Sequence, residues 1–293
     1  EESLGTNAKV STLIQLQRLA KHDVVIVSDA DVRVPPDFLV NAVAPLKDST
    51  VGLVNCFYRL ANPATSAMQW EAVAINSDFW SQVLQSASLK PIDFALGAVM
   101  VTRRKQLDEI GGFASLADFL ADDYRLGNLI AQKGHRIALC PVVVECWSAP
   151  MNWREVWAHQ LRWARTIRVC QPLPYFSSII SNATIWPLLW SLASVPFATV
   201  KSSALSENAS EALAQAFICS LLATMLCVTT RIGLALHLQF KLNRGTGHFM
   251  WWWLVPVKDL LNAVIWALAF FGNRVEWRGH HYRVESGGKL VKV

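Results

Sequence analysis

Three long apolar stretches in the second half of the chain constrain its fold more than any other sequence feature. They lie at about 175–200, 212–236 and 249–271. Each is close to the roughly 20 residues that an α-helix needs to cross a bilayer. They help to raise the hydrophobic share of the chain to 53% and its mean hydropathy to +0.28, whereas soluble domains are usually about 45–50% apolar. We therefore expect a membrane-embedded part.

The acidic motifs are separated from these apolar stretches, because nearly all of them lie in residues 1–170. This division predicts three parts: a folded α/β domain over 1–170, a membrane region over 171–272 and a basic tail over 273–293. We expect the first part to contain the catalytic residues, because it holds the acidic motifs.

The distribution of basic residues predicts how the membrane region is arranged. Four arginines precede the first apolar stretch, and Lys201 is the only basic residue between the first and the second. Two full spans at 175–200 and 212–236 fit this distribution, with the 201–211 loop outside. A third span would place the basic tail on the non-cytosolic side of the membrane, against the rule that basic segments stay inside. We therefore predict that 249–271 is re-entrant or interfacial. The domain and the tail would then both lie on the cytosolic side.

Charge and cysteine usage exclude several classes of protein. The net charge of +5 is modest, and its basic residues cluster beside the apolar stretches, which suits an anionic membrane surface better than a nucleic-acid groove. The six cysteines form no Cys-x-x-Cys pair. We therefore expect neither a disulfide framework nor a zinc site. We also expect the cysteines to face a reducing compartment.

A pair of aspartates follows an apolar segment near the start of the chain. Val24–Ser28 reads as a buried strand of a parallel sheet, and Asp29 and Asp31 follow it directly. Ligands of open α/β sheets bind at the carboxyl ends of strands. Two such carboxylates can hold a hard divalent cation that carries substrate phosphates. The alternative is an ordinary acidic turn.

Further polar residues precede or begin predicted helices. Lys9 stands before a helix over 10–20, where it can meet a phosphate or be solvated. Asp122 and Asp123 precede a helix over 124–132, where acidic residues also serve as caps. The period of 153–169 predicts a third helix, which presents its polar residues as one stripe. That stripe can be a catalytic feature, a basic face against lipid headgroups, or both.

The order of these motifs resembles the processive and lipid-directed family-2-like glycosyltransferases, and most closely the ceramide glucosyltransferase family, glycosyltransferase family 21. The resemblance is carried by Gly5–Lys9, Ser28–Arg33, Phe94–Arg103, Gly111–Phe113, Ala121–Tyr124, Arg162-Trp163 and the tail segment Trp277–His280. Bacterial hopanoid-linked sugar transferases share the pattern.

The resemblance implies a GT-A fold for residues 1–170. This is an α/β fold with a mixed, mainly parallel sheet and flanking helices, here followed by C-terminal transmembrane helices. It also implies a nucleotide-diphosphate sugar donor, with Asp29 and Asp31 holding Mg²⁺ or Mn²⁺ on the diphosphate. Asp123 takes the place of the family's catalytic base, which removes the proton of the acceptor hydroxyl during inverting attack. Asp122 beside it would raise the pKa of that base.

The same resemblance implies roles for the polar residues of the third helix. Arg162 would contact the diphosphate together with Lys9, and Trp163 would wall the acceptor site. Where the family has Gln or Arg three positions before that arginine, this chain has His159, with Gln160 one place later. His159 can donate to phosphate or contact nothing special.

The resemblance also implies an earlier nucleotide-binding aspartate, for which residues 1–293 contain no counterpart. We therefore expect the first strands to precede Glu1 and donor binding by residues 1–293 to be incomplete. The expected activity is transfer of a hexose from UDP-glucose to ceramide at the membrane. A hopanoid acceptor with UDP-N-acetylglucosamine, polysaccharide synthesis, and a non-enzymatic metal-binding scaffold remain alternatives.

Overall fold

The computed structural model describes residues 4–199, 207–243 and 250–293. The eleven α-helices of this part are α1 (Ala8–Leu19), α2 (Phe38–Val43), α3 (Ser66–Val73), α4 (Trp80–Leu89), α5 (Arg104–Glu109), α6 (Asp122–Gln132), α7 (Trp153–Cys170), α8 (Pro172–Ser177), α9 (Ile185–Thr199), α10 (Glu207–Asn243) and α11 (Leu254–Leu268). Its eight strands are β1 (Val24–Ser28), β2 (Val32–Arg33), β3 (Val51–Leu60), β4 (Val99–Arg103), β5 (Arg136–Cys146), β6 (Arg274–Trp277), β7 (His280–Val284) and β8 (Leu290–Lys292). The chain forms two compact units, Glu1–Pro172 with Ala269–Val293, and Leu173–Leu268.

The first unit is built on a five-stranded sheet of order β1-β4-β3-β5-β2. The predicted mixed α/β class is confirmed, but the expectation of a mainly parallel sheet is wrong. Among the described strands of this sheet only β3 and β5 pair in parallel, and the other three pairings are antiparallel. The strand before Asp29 is likewise an edge strand that pairs antiparallel with β4, with Ile26 37% exposed, rather than a buried parallel strand.

Apolar side chains cover both faces of this sheet. One cluster joins Leu53 and Met100 to α1 and α6 through Val10 and Leu126. The other joins the opposite face to α2 and includes Val54, Val99 and Phe38. Because the central strands are buried on both sides, their sequences read as continuous apolar runs rather than alternating ones.

Residues after α11 return to the first unit and form a second, three-stranded antiparallel sheet, β6-β7-β8. Its apolar face packs Val284 and Leu290 against Leu120. Two backbone bonds attach it just before α6, from Leu120 N to the Gly288 carbonyl (3.1 Å) and from Leu290 N to the Asp118 carbonyl (2.7 Å). The segment predicted as the tail 273–293 is therefore part of the first unit.

The second unit contains the apolar stretches. Ala209–Lys241, within α10, is long and apolar enough to cross a membrane. The pair Pro172–Ser181 and Ile185–Val195 passes the same test only if its two helices, bent by 55°, count as one span. The 249–271 stretch contains the 15-residue helix α11, and residues 244–249, like most of the 201–211 loop, lie outside the described part of the chain. The sidedness of these segments stays a prediction.

Polar contacts connect the helices of this second unit. Asp259 of α11 accepts hydrogen bonds from Thr184 Oγ1 (2.5 Å) and from Arg231 of α10 (3.1 Å), and the neighbouring Lys258 Nζ lies 2.6 Å from it. Ser191 of α9 bonds Thr224 of α10 at 2.7 Å. Buried charges require such partners, which is how an apolar helix can carry Lys258 and Asp259.

Candidate active site

The turn after β1 is fixed by backbone bonds on both sides. Asp29 N donates to the Ala98 carbonyl (3.1 Å), and the Asp31 carbonyl accepts from Trp147 N (2.9 Å). The Asp29 side chain is 39% exposed, and Asp31 is exposed. Both carboxylates therefore stand on an ordered turn that a solute can reach.

Lys9 connects this turn to the first turn of α6. Its Nζ lies 2.7 Å from Asp29 Oδ1 and 3.5 Å from Asp122 Oδ2. Burial alone would lower the pKa of Lys9, but Asp122 and Asp29 raise it above its ordinary value. Lys9 is therefore a fixed positive charge between two carboxylates, in contrast to the solvated alternative.

Asn7, which the sequence analysis did not single out, positions both Lys9 and Asp122. Its side chain caps α1 by accepting from Val10 N (3.1 Å) and donates to the Phe119 carbonyl (2.7 Å) and to Asp122 Oδ1 (3.4 Å). The side chain is fully buried. An Asn before an apolar helix is a recognisable cap, but its second contact spans more than a hundred residues and has no local sequence signal.

Asp123 lies beside Asp122 in the first turn of α6, and Ala121 rather than either aspartate is the N-cap. Asp123 Oδ1 accepts from Tyr124 N (2.8 Å). A Cβ added to Gly97 would lie 2.6 Å from Asp123 Oδ2, so the carboxylate packs directly against the backbone there. Asp123 is therefore the group that approaches the backbone most closely at this glycine.

The environment of Asp123 favours its protonated form. Burial raises its pKa to about 6, the negative charge of Asp122 adds to the rise, and Lys9 opposes it. Burial likewise raises the pKa of Asp122, with Lys9 acting against it. A carboxyl group whose pKa lies near neutrality can accept and return a proton under working conditions.

Asp29 and Asp123 meet at the same backbone segment. Asp29 N bonds the carbonyl of Ala98, and Asp123 faces its neighbour Gly97. The two predicted site residues therefore lie at the same end of the sheet, where Lys9 contacts both Asp29 and Asp122.

Helix α7 carries the remaining predicted residues. A capping box of Asn152 and Glu155 begins the helix. Trp153 and Trp157 then pack against Trp70 of α3, with ring centroids 5.9 and 6.3 Å apart. This aromatic contact places the turn of α7 that follows Trp157 opposite the residue that follows Trp70 in α3.

That residue is Glu71, which the sequence analysis missed. Its side chain is fully buried, and its Oε1 is bonded by His159 Nδ1 (2.7 Å) and Gln160 Nε2 (2.8 Å). Glu71 is the only charged residue in the sequence between Arg59 and Asp78. A lone carboxylate in an apolar helix is the signal that would have found it, since buried charges are paired.

These contacts assign partners to the motif residues of α7. His159 and Gln160 both face Glu71, and the His159 ring lies 4.4 Å from that of Trp163. Burial lowers the pKa of Arg162, and the negative charges of Glu71 and Asp123 oppose that decrease. Arg162 therefore lies within electrostatic range of Asp123 as well as of Glu71, whereas His159 is paired with Glu71.

The donor set is compatible with Mg²⁺ or Mn²⁺. No group of three His, Cys, Asp or Glu side chains converges within residues 4–199, 207–243 and 250–293. Mg²⁺ is commonly held by one or two carboxylates together with substrate phosphates, however, and it does not require an all-protein cage. Asp29 and Asp31 supply that number of hard oxygen ligands at an accessible turn.

One protein-family model matches nearly the whole chain. The model of the family described as glycosyl transferase family 21 matches residues 1–290. The chain belongs to this family, as the motif order predicted, and is a glycosyltransferase, which implies a nucleotide-sugar donor and an acceptor.

Proposed function

Starting from membership of glycosyl transferase family 21, we propose that this protein is a membrane-bound, inverting hexosyltransferase. It moves a hexose, with UDP-glucose as the expected donor, to the hydroxyl group of a membrane lipid, with ceramide as the expected acceptor. The observation that carries the proposal is Asp123, a carboxyl group with a pKa of about 6 beside the segment that also holds Asp29.

Asp123 is the proposed catalytic base. It accepts the proton of the acceptor hydroxyl as that oxygen attacks the anomeric carbon, and the nucleoside diphosphate leaves from the opposite face. Asp122 supports this role by keeping the pKa of Asp123 high. A base with this pKa is ionised at pH 7 yet holds a proton more tightly than an exposed aspartate does.

The donor diphosphate is assigned to the positive and metal-binding groups around this base. Asp29 and Asp31 would hold Mg²⁺ or Mn²⁺, which when bound neutralises charge on the leaving diphosphate. Lys9 lies beside Asp29 and Asp122, and Arg162 is within electrostatic range of Asp123. Both cations can make charge-assisted contacts with phosphate oxygens. Trp163, held by the His159 ring, is the proposed wall of the acceptor site.

Membrane attachment is proposed through the second unit, with the catalytic unit on the cytosolic side. Ala209–Lys241 has the length and composition for a span, and the bent pair Pro172–Ser181 and Ile185–Val195 supplies a second, broken segment. A lipid acceptor and a charged, water-soluble donor can meet only at the interface. Helix α7 supports this placement because it carries Arg162 and only two residues separate its end from the start of the second unit.

The test is transfer of radiolabelled sugar to lipid by the whole protein in membranes, using ceramide, a hopanoid or no added lipid as acceptor. We expect labelled glycolipid with ceramide and a loss of about 10²–10⁴-fold in Asp123→Asn. The matched control is Asp108→Asn, which alters an exposed carboxylate of α5. Equal transfer by the two variants would remove Asp123 from its role. Labelling of the hopanoid alone would show that a hopanoid, rather than ceramide, is the acceptor. Labelled polymer formed with no added lipid would favour a polysaccharide synthase.

A further inference from the structure

A cleft lined by arginines lies in the first unit, apart from the residues assigned to catalysis. It is an open groove of about 630 Å³ between the end of α7 and the segment that leads into β6. Its lining consists of Arg165, Arg168, Phe270, Phe271, Gly272, Asn273, Arg274 and Arg283. Four positive side chains line one cleft, which makes it attractive to an anion.

The described residues provide little counter-charge. Arg283 pairs with Glu285 at 3.1 Å, and both side chains are about half exposed. Arg165 donates instead to the uncharged carbonyls of Arg274 (2.5 Å) and Phe271 (3.4 Å). Of four guanidinium groups only one has a carboxylate partner in the described part of the chain.

Two donors at the α7 wall also lack acceptors. The Nε atoms of Arg165 and Arg168 are buried and have no hydrogen-bond partner among the described residues. Arg168 otherwise bonds Asn273 and lies 5.6 Å from the Phe270 ring. Burial and the neighbouring Arg168 lower the pKa of Arg165, which reflects the uncompensated charge. An anion in the cleft would offset part of this positive charge and supply acceptors for the two Nε donors.

We propose that this cleft binds the phosphate group of an anionic membrane phospholipid, at a site separate from the active site. Its volume lies in the range of cavities that hold whole small molecules, far above the needs of a single phosphate ion. Guanidinium groups are suited to phosphate oxygens because they offer several donors in one plane.

Chain connectivity is the reason to assign a lipid rather than a soluble anion. One wall of the cleft ends at Cys170, shortly before the second unit begins at Leu173, and the other begins just after that unit ends at Leu268. The cleft is therefore built from the two segments that lead into and out of the apolar helices. At its rim Phe271 is 77% exposed, a suitable contact for an acyl or glycerol group. The proposal rests on the membrane placement proposed above but not on the transfer chemistry.

The test measures binding to the whole protein in a neutral detergent. The probes are a short-chain phosphatidylglycerol, the corresponding phosphatidylcholine, and inorganic phosphate. We expect phosphatidylglycerol to bind at least about tenfold more tightly than either of the others, because only it combines net negative charge with an apolar part. Equal affinity for phosphatidylcholine, or for phosphate alone, would overturn the proposal.

Variants locate the site. In Arg274→Gln with Arg283→Gln we expect phosphatidylglycerol affinity to fall by about thirtyfold, from roughly tenfold or less for each lost charge. Replacing the same two residues by lysine keeps the charge and should retain most of the binding. The control pair Arg18→Gln with Arg278→Gln removes equal charge from exposed positions outside the cleft and should change the affinity less than threefold. An equal loss in the control pair, or no loss in the cleft pair, would refute the assignment.

Discussion

Replacing Asp123 by asparagine should stabilise the protein while it lowers transfer by about 10²–10⁴-fold. An ordinary aspartate has a pKa of 3.8, and burial raises that of Asp123 to about 6. The folded state therefore binds this proton more tightly than the unfolded chain does. Ionising the group costs the folded state nothing below the unfolded pKa, and the cost is complete above the folded pKa.

The magnitude follows from the difference between the two pKa values. Each tenfold difference in proton affinity corresponds to about 1.4 kcal/mol, so ionised Asp123 lowers the free energy of unfolding by at most about 3 kcal/mol at pH 8. At pH 5, where the folded state is mostly protonated, the cost is about 1.5 kcal/mol. Because Asp123 keeps some accessible surface, both values are upper bounds.

Thermal unfolding in detergent, followed by tryptophan fluorescence, measures this difference. For a unit of this size 1 kcal/mol moves Tm by about 2–4 °C. Asp123→Asn should therefore raise Tm by up to about 6–12 °C at pH 8 and by about half as much at pH 5. Asp108→Asn should leave Tm unchanged at both pH values. A lower Tm in Asp123→Asn, or a gain independent of pH, would refute the reasoning.

Four further outcomes follow from the same contacts. The kcat/KM for transfer should rise with pH up to about 6 and then level off as Asp123 becomes ionised, and a flat profile from pH 4 to 8 would contradict this. Glu71→Gln should lower the free energy of unfolding by about 1–3 kcal/mol by weakening the pair with His159, whereas an unchanged Tm would make that pair unimportant. Gly97→Ala should reduce kcat roughly 100-fold by displacing the base, with little change in KM, and unchanged kcat would show that the carboxylate can yield. Leu290→Ala should cost about 2–5 kcal/mol in unfolding measurements, since this side chain is 1% exposed, and a cost below 1 kcal/mol would show that the C-terminal sheet is not required.

Local pattern predicted the elements well. The strand at Val24–Ser28 and the helices that carry Asp123 and Arg162 have bounds within two residues of those expected. The order of strand, acidic turn and helices also identified the family. These features depend on neighbours in sequence, where periodicity and capping are strongest.

Long-range pairing was not predictable in the same way. The apolar residues of the short edge strand β1 do not indicate whether the neighbouring strand runs parallel or antiparallel to it, so neither its direction nor its edge position could be read from its sequence. The contacts of Asn7 with Asp122 and of Glu71 with His159 join segments far apart in the chain. Periodicity shows which residues share a face of one element, but not which element packs against that face.

The C-terminal sheet has a consequence for biogenesis. Because translation runs from the N-terminus, β8 leaves the ribosome only after every apolar helix has been made, yet it supplies the partners of Asp118 and Leu120 just ahead of α6. The unit that contains the proposed active site therefore cannot reach its final packing before the apolar helices have been synthesised. With those helices in a bilayer, as proposed, completion of the site would follow their insertion.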